Sequence, residues 1–221
     1  MTLAILGDSI STFKDWIPDE NEAFYPRIGY DVKQVEQTWW HLLSEKTGLV
    51  LTMNESYSGS RVSPTGIRPK RTAFISEKRM EHLQADRIII FGGTNDFAQT
   101  NEIPAHLQEF TQSYELLIKS LAKRYTESKL YFCTPLTRTD WEYQQKNLFG
   151  WTCQELQETV RTLVCKQQKN NGNIFLIDLA KIPITGGILQ DGLHPTIVGM
   201  KAIYETMLPY FTERQHLFVL R

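Results

Sequence analysis

Four short stretches of this chain hold residue types that can do chemistry together. Asp191-Gly192-Leu193-His194-Pro195-Thr196 puts a carboxylate and an imidazole on one tight loop. At that spacing the carboxylate can reach the Nδ1–H of the ring, which leaves Nε2 free to accept a proton from a serine. Gly7-Asp8-Ser9 ends an apolar run, so its serine falls on a strand-to-loop turn that the glycine allows to be sharp. Asn54-Glu55-Ser56-Tyr57-Ser58-Gly59-Ser60 contains a glycine able to present an unobstructed backbone N–H. Gly92-Gly93-Thr94-Asn95-Asp96 carries a side-chain amide donor beside paired glycines that let a substrate approach closely. Each stretch alone is ordinary. A Gly-Asp-Ser triplet arises by chance in about one chain in twenty of this size, and a Gly-Gly-Thr-Asn string is turn composition. Neither a dinucleotide fingerprint nor a Walker A loop occurs.

The elements that must hold these stretches are legible in the hydrophobic pattern. Apolar runs at 3–6, 49–53, 87–91, 130–133 and 174–177 are rich in β-branched residues and too short for buried helices, so they read as buried strands. Between them, 35–47, 103–125, 152–169 and 197–211 place apolar residues at helical spacing. Alternation through the whole chain predicts an α/β protein: a three-layer α/β/α domain spanning 1–221, with a five-stranded parallel sheet. The four stretches then follow the first, second, third and last strands, at one edge of the sheet. Pro195 suits the first turn of the last helix.

Two segments are long for connections. Residues 12–34 hold Trp16, Phe24, Tyr25 and Tyr30, and residues 135–150 hold Trp141, Tyr143 and Phe149. Loops of that length at the C-terminal ends of strands are places where ligands bind. Asp8, Tyr25 and Trp141 are the residues expected to touch substrate.

With 24 Lys and Arg against 25 Asp and Glu, the chain has no basic excess calling for nucleic acid or an anionic membrane. Cys133, Cys153 and Cys165 include no C-x-x-C pair, and an odd count argues against a disulfide framework. His41, His82 and His106 have no ligand spacing, so no metal and no cofactor are expected. The opening residues show no charged and apolar leader pattern, which predicts a cytoplasmic protein. The segment 215–221, with His216, is apolar enough to dock on the body or on a partner.

Taken as a set, Gly-Asp-Ser near the start, a glycine after the second strand, Gly-x-Asn-Asp after the third and Asp-x-x-His before the last helix resemble the four blocks of the SGNH, or GDSL-like, hydrolases over residues 3–211. Ile10 stands where the family motif has Leu, and Ser56 where many relatives have Gly. The resemblance implies a flavodoxin-like fold, with Ser9 as nucleophile, His194 as general base and then acid, and Asp191 as the residue that orients the imidazole. It implies an oxyanion hole built from the Ser9 N–H, the Gly59 N–H and the Asn95 amide. The reading that follows is a serine esterase acting on a small-molecule ester with a short acyl group, such as an O-acetyl on a carbohydrate, since Trp and Tyr faces suit sugar rings. The rivals are an acyltransferase with the same triad and a non-catalytic glycan or nucleotide binder on the same fold.

Overall fold

The computed structural model describes residues 1–99 and 102–212; the 215–221 segment lies outside the described residues. The five apolar runs form β1 (Thr2–Gly7), β2 (Val50–Ser56), β3 (Arg87–Phe91), β4 (Lys129–Cys133) and β5 (Ile174–Ile177). All neighbours pair in parallel, in the order β2-β1-β3-β4-β5. Because successive side chains of a strand point to opposite faces, β1 sends Leu3 and Ile5 into one core and Ala4 and Leu6 into the other. The first core is closed by α1 (Trp39–Thr47) and α6 (Ile197–Met207), through Trp39, Trp40, Leu43, Met200, Ile203 and Met207. Two other helices cover the second core, and their Phe110, Tyr114, Leu117, Leu156 and Val160 are buried there. None of the described helices is long and apolar enough to cross a membrane.

Helices begin later than the apolar pattern predicts, for local reasons. Thr38 is extended (φ −75°, ψ 147°) and its hydroxyl accepts from the His41 N–H, so α1 starts at Trp39 instead of Val35. Two single-turn helices follow, α2 (Glu77–Met80) and α3 (Thr94–Phe97), each too short to leave a periodic signature. α4 (Leu107–Arg124) starts after His106, whose backbone is extended (φ −71°, ψ 143°) and whose N–H donates to the Glu109 carboxylate. α5 (Cys153–Gln168) starts under a Thr152–Glu155 capping box. α6 stops at Met207 because Pro209 follows.

The register aligns the strand ends. Gly7 pairs with Ser56 and Phe91, Phe91 with Cys133, and Cys133 with Ile177. Everything that leaves β1, β2, β3 and β4 therefore leaves at one level, in the region where an open parallel sheet binds ligands. A buried cation fastens this level. Arg79, on α2, donates to the carbonyl oxygens of Gly7, Glu55 and Thr72 and to the Ser60 hydroxyl. Its guanidinium lies 3.7 Å from the Glu55 carboxylate and 4.7 Å from the centre of the Phe74 ring. Burial pushes its pKa down to about 10, against the pull of Glu55 and Asp8.

Arg79→Met should leave those acceptors unsatisfied and the Glu55 charge unpaired. Urea denaturation should then show a loss of about 3–5 kcal/mol. A loss below about 1 kcal/mol would mean that the strand ends do not depend on this clamp.

Candidate active site

Ser9 opens a tight 3₁₀ turn, Ser9–Ser11, directly after β1. Asp8 caps it: its carboxylate accepts from the Ile10 N–H at 3.1 Å. The far end is pinned by two donors to the Ser11 carbonyl, the Asn54 amide at 2.9 Å and the Trp40 indole at 3.0 Å. The Thr12 hydroxyl holds the Ser9 carbonyl at 2.9 Å. With backbone and neighbours fixed, the Ser9 side chain meets His194 Nε2 at 3.0 Å. His194 Nδ1 lies 2.8 Å from Asp191 Oδ2.

Asp191 is itself held on three sides. Its Oδ1 accepts from the backbone N–H groups of Leu193 and His194, and its Oδ2 accepts from the Tyr30 hydroxyl at 2.8 Å. Burial opposes its charge, but the His194 ring and backbone and the Tyr30 hydroxyl outweigh burial and hold the carboxyl well below the usual carboxylate range. The imidazole is clamped from its flat side as well. Phe24 stacks on it at 3.6 Å and 8° between planes, which fixes the ring orientation that the Ser9 contact needs.

The glycine and asparagine stretches meet each other at the same edge of the sheet. Gly59 has φ +73°, a left-handed conformation that favours glycine, and a β-carbon there would push aside the Arg68 guanidinium, 2.5 Å away. Asn95, on α3, donates through Nδ2 to the carbonyl of Ser60 at 2.9 Å, which sets its amide against the Gly59–Ser60 segment. An amide nitrogen has two hydrogens, so this bond leaves one donor over. Asp96, the next residue, locks the two stretches together by accepting from the Val62 and Ser63 N–H groups and the Ser63 hydroxyl. Burial raises its pKa to about 6 in spite of these bonds.

Two expected substrate contacts are corrected here. Tyr25 is fully buried, and its hydroxyl is spent on the Pro195 carbonyl at 2.7 Å, so it seats the histidine loop instead of meeting a ligand. Asp8 is 1% exposed and serves as the cap of the serine turn; burial raises its carboxyl to about 7, opposed by the Ile10 N–H and Arg79. Trp141 packs edge-on against Phe97 and donates its indole N–H to Gln145, on the side of the second core. The residues that the sequence did not single out are Tyr30, Phe24 and Asp96. Phe24 and Tyr30 lie in the aromatic 12–34 segment and Asp96 in the Gly-x-Asn-Asp block, so composition pointed to the neighbourhood without the roles. Cys133 and Cys153 are buried thiols and Cys165 an exposed one; none is in a disulfide.

A parallel sheet of this order, carrying a serine–imidazole–carboxylate line at its C-terminal edge, defines an α/β protein of the hydrolase class. The chain belongs to the GDSL-like lipase/acylhydrolase family, whose model matches residues 1–210. No curated protein matches it. Among solved structures it is similar to a GDSL-like lipase from Bacteroides ovatus, at 28% identity and a TM-score of 0.69 over 95% of this chain and 96% of that one. A second, from Bacteroides uniformis, is 29% identical with a TM-score of 0.70 over 95% and 94% of the two chains. A family two carbohydrate esterase from Clostridium thermocellum shares the fold at 13% identity and a TM-score of 0.66, over 96% of this chain and 63% of that one.

Asn95→Ala should lower kcat roughly 10²–10³-fold with KM little changed, if its free donor serves developing negative charge. Because the same amide holds the Ser60 carbonyl, a stability loss of about 1 kcal/mol should accompany it. Asn95→Asp should be at least as damaging, since a carboxylate would face the Ser60 carbonyl and, in that role, the developing charge. Unchanged turnover in folded Asn95→Ala would reduce this residue to a loop anchor.

Proposed function

We propose that this chain is a serine esterase that cleaves a small carboxylic ester with a short acyl group, such as an O-acetyl on a carbohydrate, through an acyl-enzyme. The observation that carries the reading is the unbroken line from Ser9 Oγ through His194 to Asp191, at 3.0 and 2.8 Å. In this reading Ser9 Oγ attacks the ester carbonyl while its proton passes to His194 Nε2. The imidazolium is stabilised by Asp191, whose depressed pKa keeps it ionised. The tetrahedral oxyanion is received by the Ser9 and Gly59 N–H groups and the remaining Asn95 donor. As the intermediate collapses, His194 returns the proton to the leaving alcohol. Water, activated by the same imidazole, then releases the acid and restores Ser9.

Tyr30 supports the carbohydrate side of the reading. Its half-buried ring lies perpendicular to His194, with centroids 6.2 Å apart, so an aromatic side chain borders the reacting groups, a residue type that suits a sugar ring.

The test is a panel of p-nitrophenyl esters of increasing acyl length and acetylated sugars, run on the protein and on Ser9→Ala. Acetyl esters should be preferred. Ser9→Ala should lose on the order of 10⁴-fold or more in kcat while remaining folded. Full activity in Ser9→Ala would sink the reading.

A further inference from the structure

The segment after β4 contains a second buried cation that the proposed chemistry does not use. Arg138 has a side chain only 4% exposed. Its Nε and Nη2 form a parallel pair of bonds to the two carboxylate oxygens of Asp140, at 2.8 and 2.6 Å. Its Nη1 points the other way and donates to the Ala98 carbonyl at 2.8 Å and the Thr94 carbonyl at 3.3 Å. Thr94 and Ala98 bracket α3, the turn that carries Asn95.

Asp140, in turn, abuts the histidine loop. The Thr139 N–H donates to the Gly192 carbonyl at 2.7 Å, and the Asp140 N–H to the same oxygen at 3.4 Å. Gly192 has φ +81°, and a β-carbon on it would lie 2.4 Å from the Asp140 nitrogen. The backbone of 139–140 is thus pressed flat against the residue between Asp191 and the Leu193–His194 pair. A continuous chain of contacts runs from the Asn95 turn through Arg138 and Asp140 to the loop of Asp191 and His194.

We propose that Arg138 and Asp140 are positioning residues: a strut that sets the spacing between the oxyanion donor Asn95 and the base His194. The inference rests on the esterase reading for its kinetic consequence, but the strut itself is geometric. Arginine is needed because its planar fork binds a carboxylate bidentately while the remaining nitrogen reaches two carbonyls; a lysine ammonium reaches one side or the other. A shift of about 1 Å between reacting groups can cost on the order of 10²-fold in rate.

The experiment uses Arg138→Lys, Arg138→Gln and Asp140→Asn. Asp140 is 32% exposed, and Asp140→Asn keeps its size and one acceptor for Arg138. Two readouts are taken on each: kcat and KM on the best ester of the panel, and the proton NMR signal of the His194 Nδ1–H bonded to Asp191. The proposal predicts kcat lower by roughly 10- to 100-fold with KM within about twofold, and a broadened or shifted Nδ1–H signal, in Asp140→Asn and in Arg138→Lys alike. Combining Arg138→Gln with Asn95→Ala should give less than the product of the separate losses, since both act on one donor. Variants that lose thermal stability while kcat and the Nδ1–H signal stay at wild-type values would overturn the strut. If the wild type cleaves no ester but the variants still disturb the Nδ1–H signal, the strut stands and the esterase reading fails.

Discussion

The 3.0 Å contact between Ser9 and His194 joins residues 185 positions apart in the chain. A contact that short between such distant residues tolerates little error in the elements that carry them. Ser9 is set by the end of β1, which is paired on both sides, to β2 and to β3. His194 is set by a loop that Tyr25 grips through the Pro195 carbonyl, and that Asp191 folds through two backbone hydrogen bonds. The 12–34 segment supplies the remaining restraints on the imidazole: Phe24 on its face and Tyr30 on its carboxylate partner. That segment is consequently part of the site's framework more than a free wall around it.

Buried charges serve the same end. A guanidinium without water needs several acceptors at once, and backbone carbonyls at strand and helix ends are the acceptors available at this edge of the sheet. Arg79 gathers the carbonyls that end β1 and β2; Arg138 gathers those around α3. Asp96 does the reverse job, gathering N–H groups from the loop after Gly59. Each bond left unmade lowers stability, and of these groups only the Arg79 Nε lacks an acceptor, which narrows the arrangements open to the edge.

Much of this was legible in the sequence, and what was not has physical causes. Strands 87–91 and 174–177 coincide with their apolar runs because both ends are marked by polar residues or glycine. The four motif stretches fall together because the parallel order carries all of them to one edge. Helices start later than the periodic pattern predicts where a cap residue, Thr38 or His106, holds the backbone extended. The sequence does not tell Tyr25 from Tyr30, since two tyrosines in one aromatic loop look alike until their hydroxyls find partners. Arg79 and Arg138 were invisible: nothing local distinguishes a buried arginine from the solvated ones around it, and their acceptors lie up to 72 and 44 residues away.

The central claim is that His194 activates Ser9 as the nucleophile. Its most direct test is labelling with a fluorophosphonate, followed by peptide mass spectrometry, on the wild type and on His194→Ala. A single phosphonyl adduct on Ser9, formed in the wild type and lost or slowed by orders of magnitude in folded His194→Ala, is the predicted result. Adduct on another serine, or equal labelling of Ser9 without the imidazole, would contradict it.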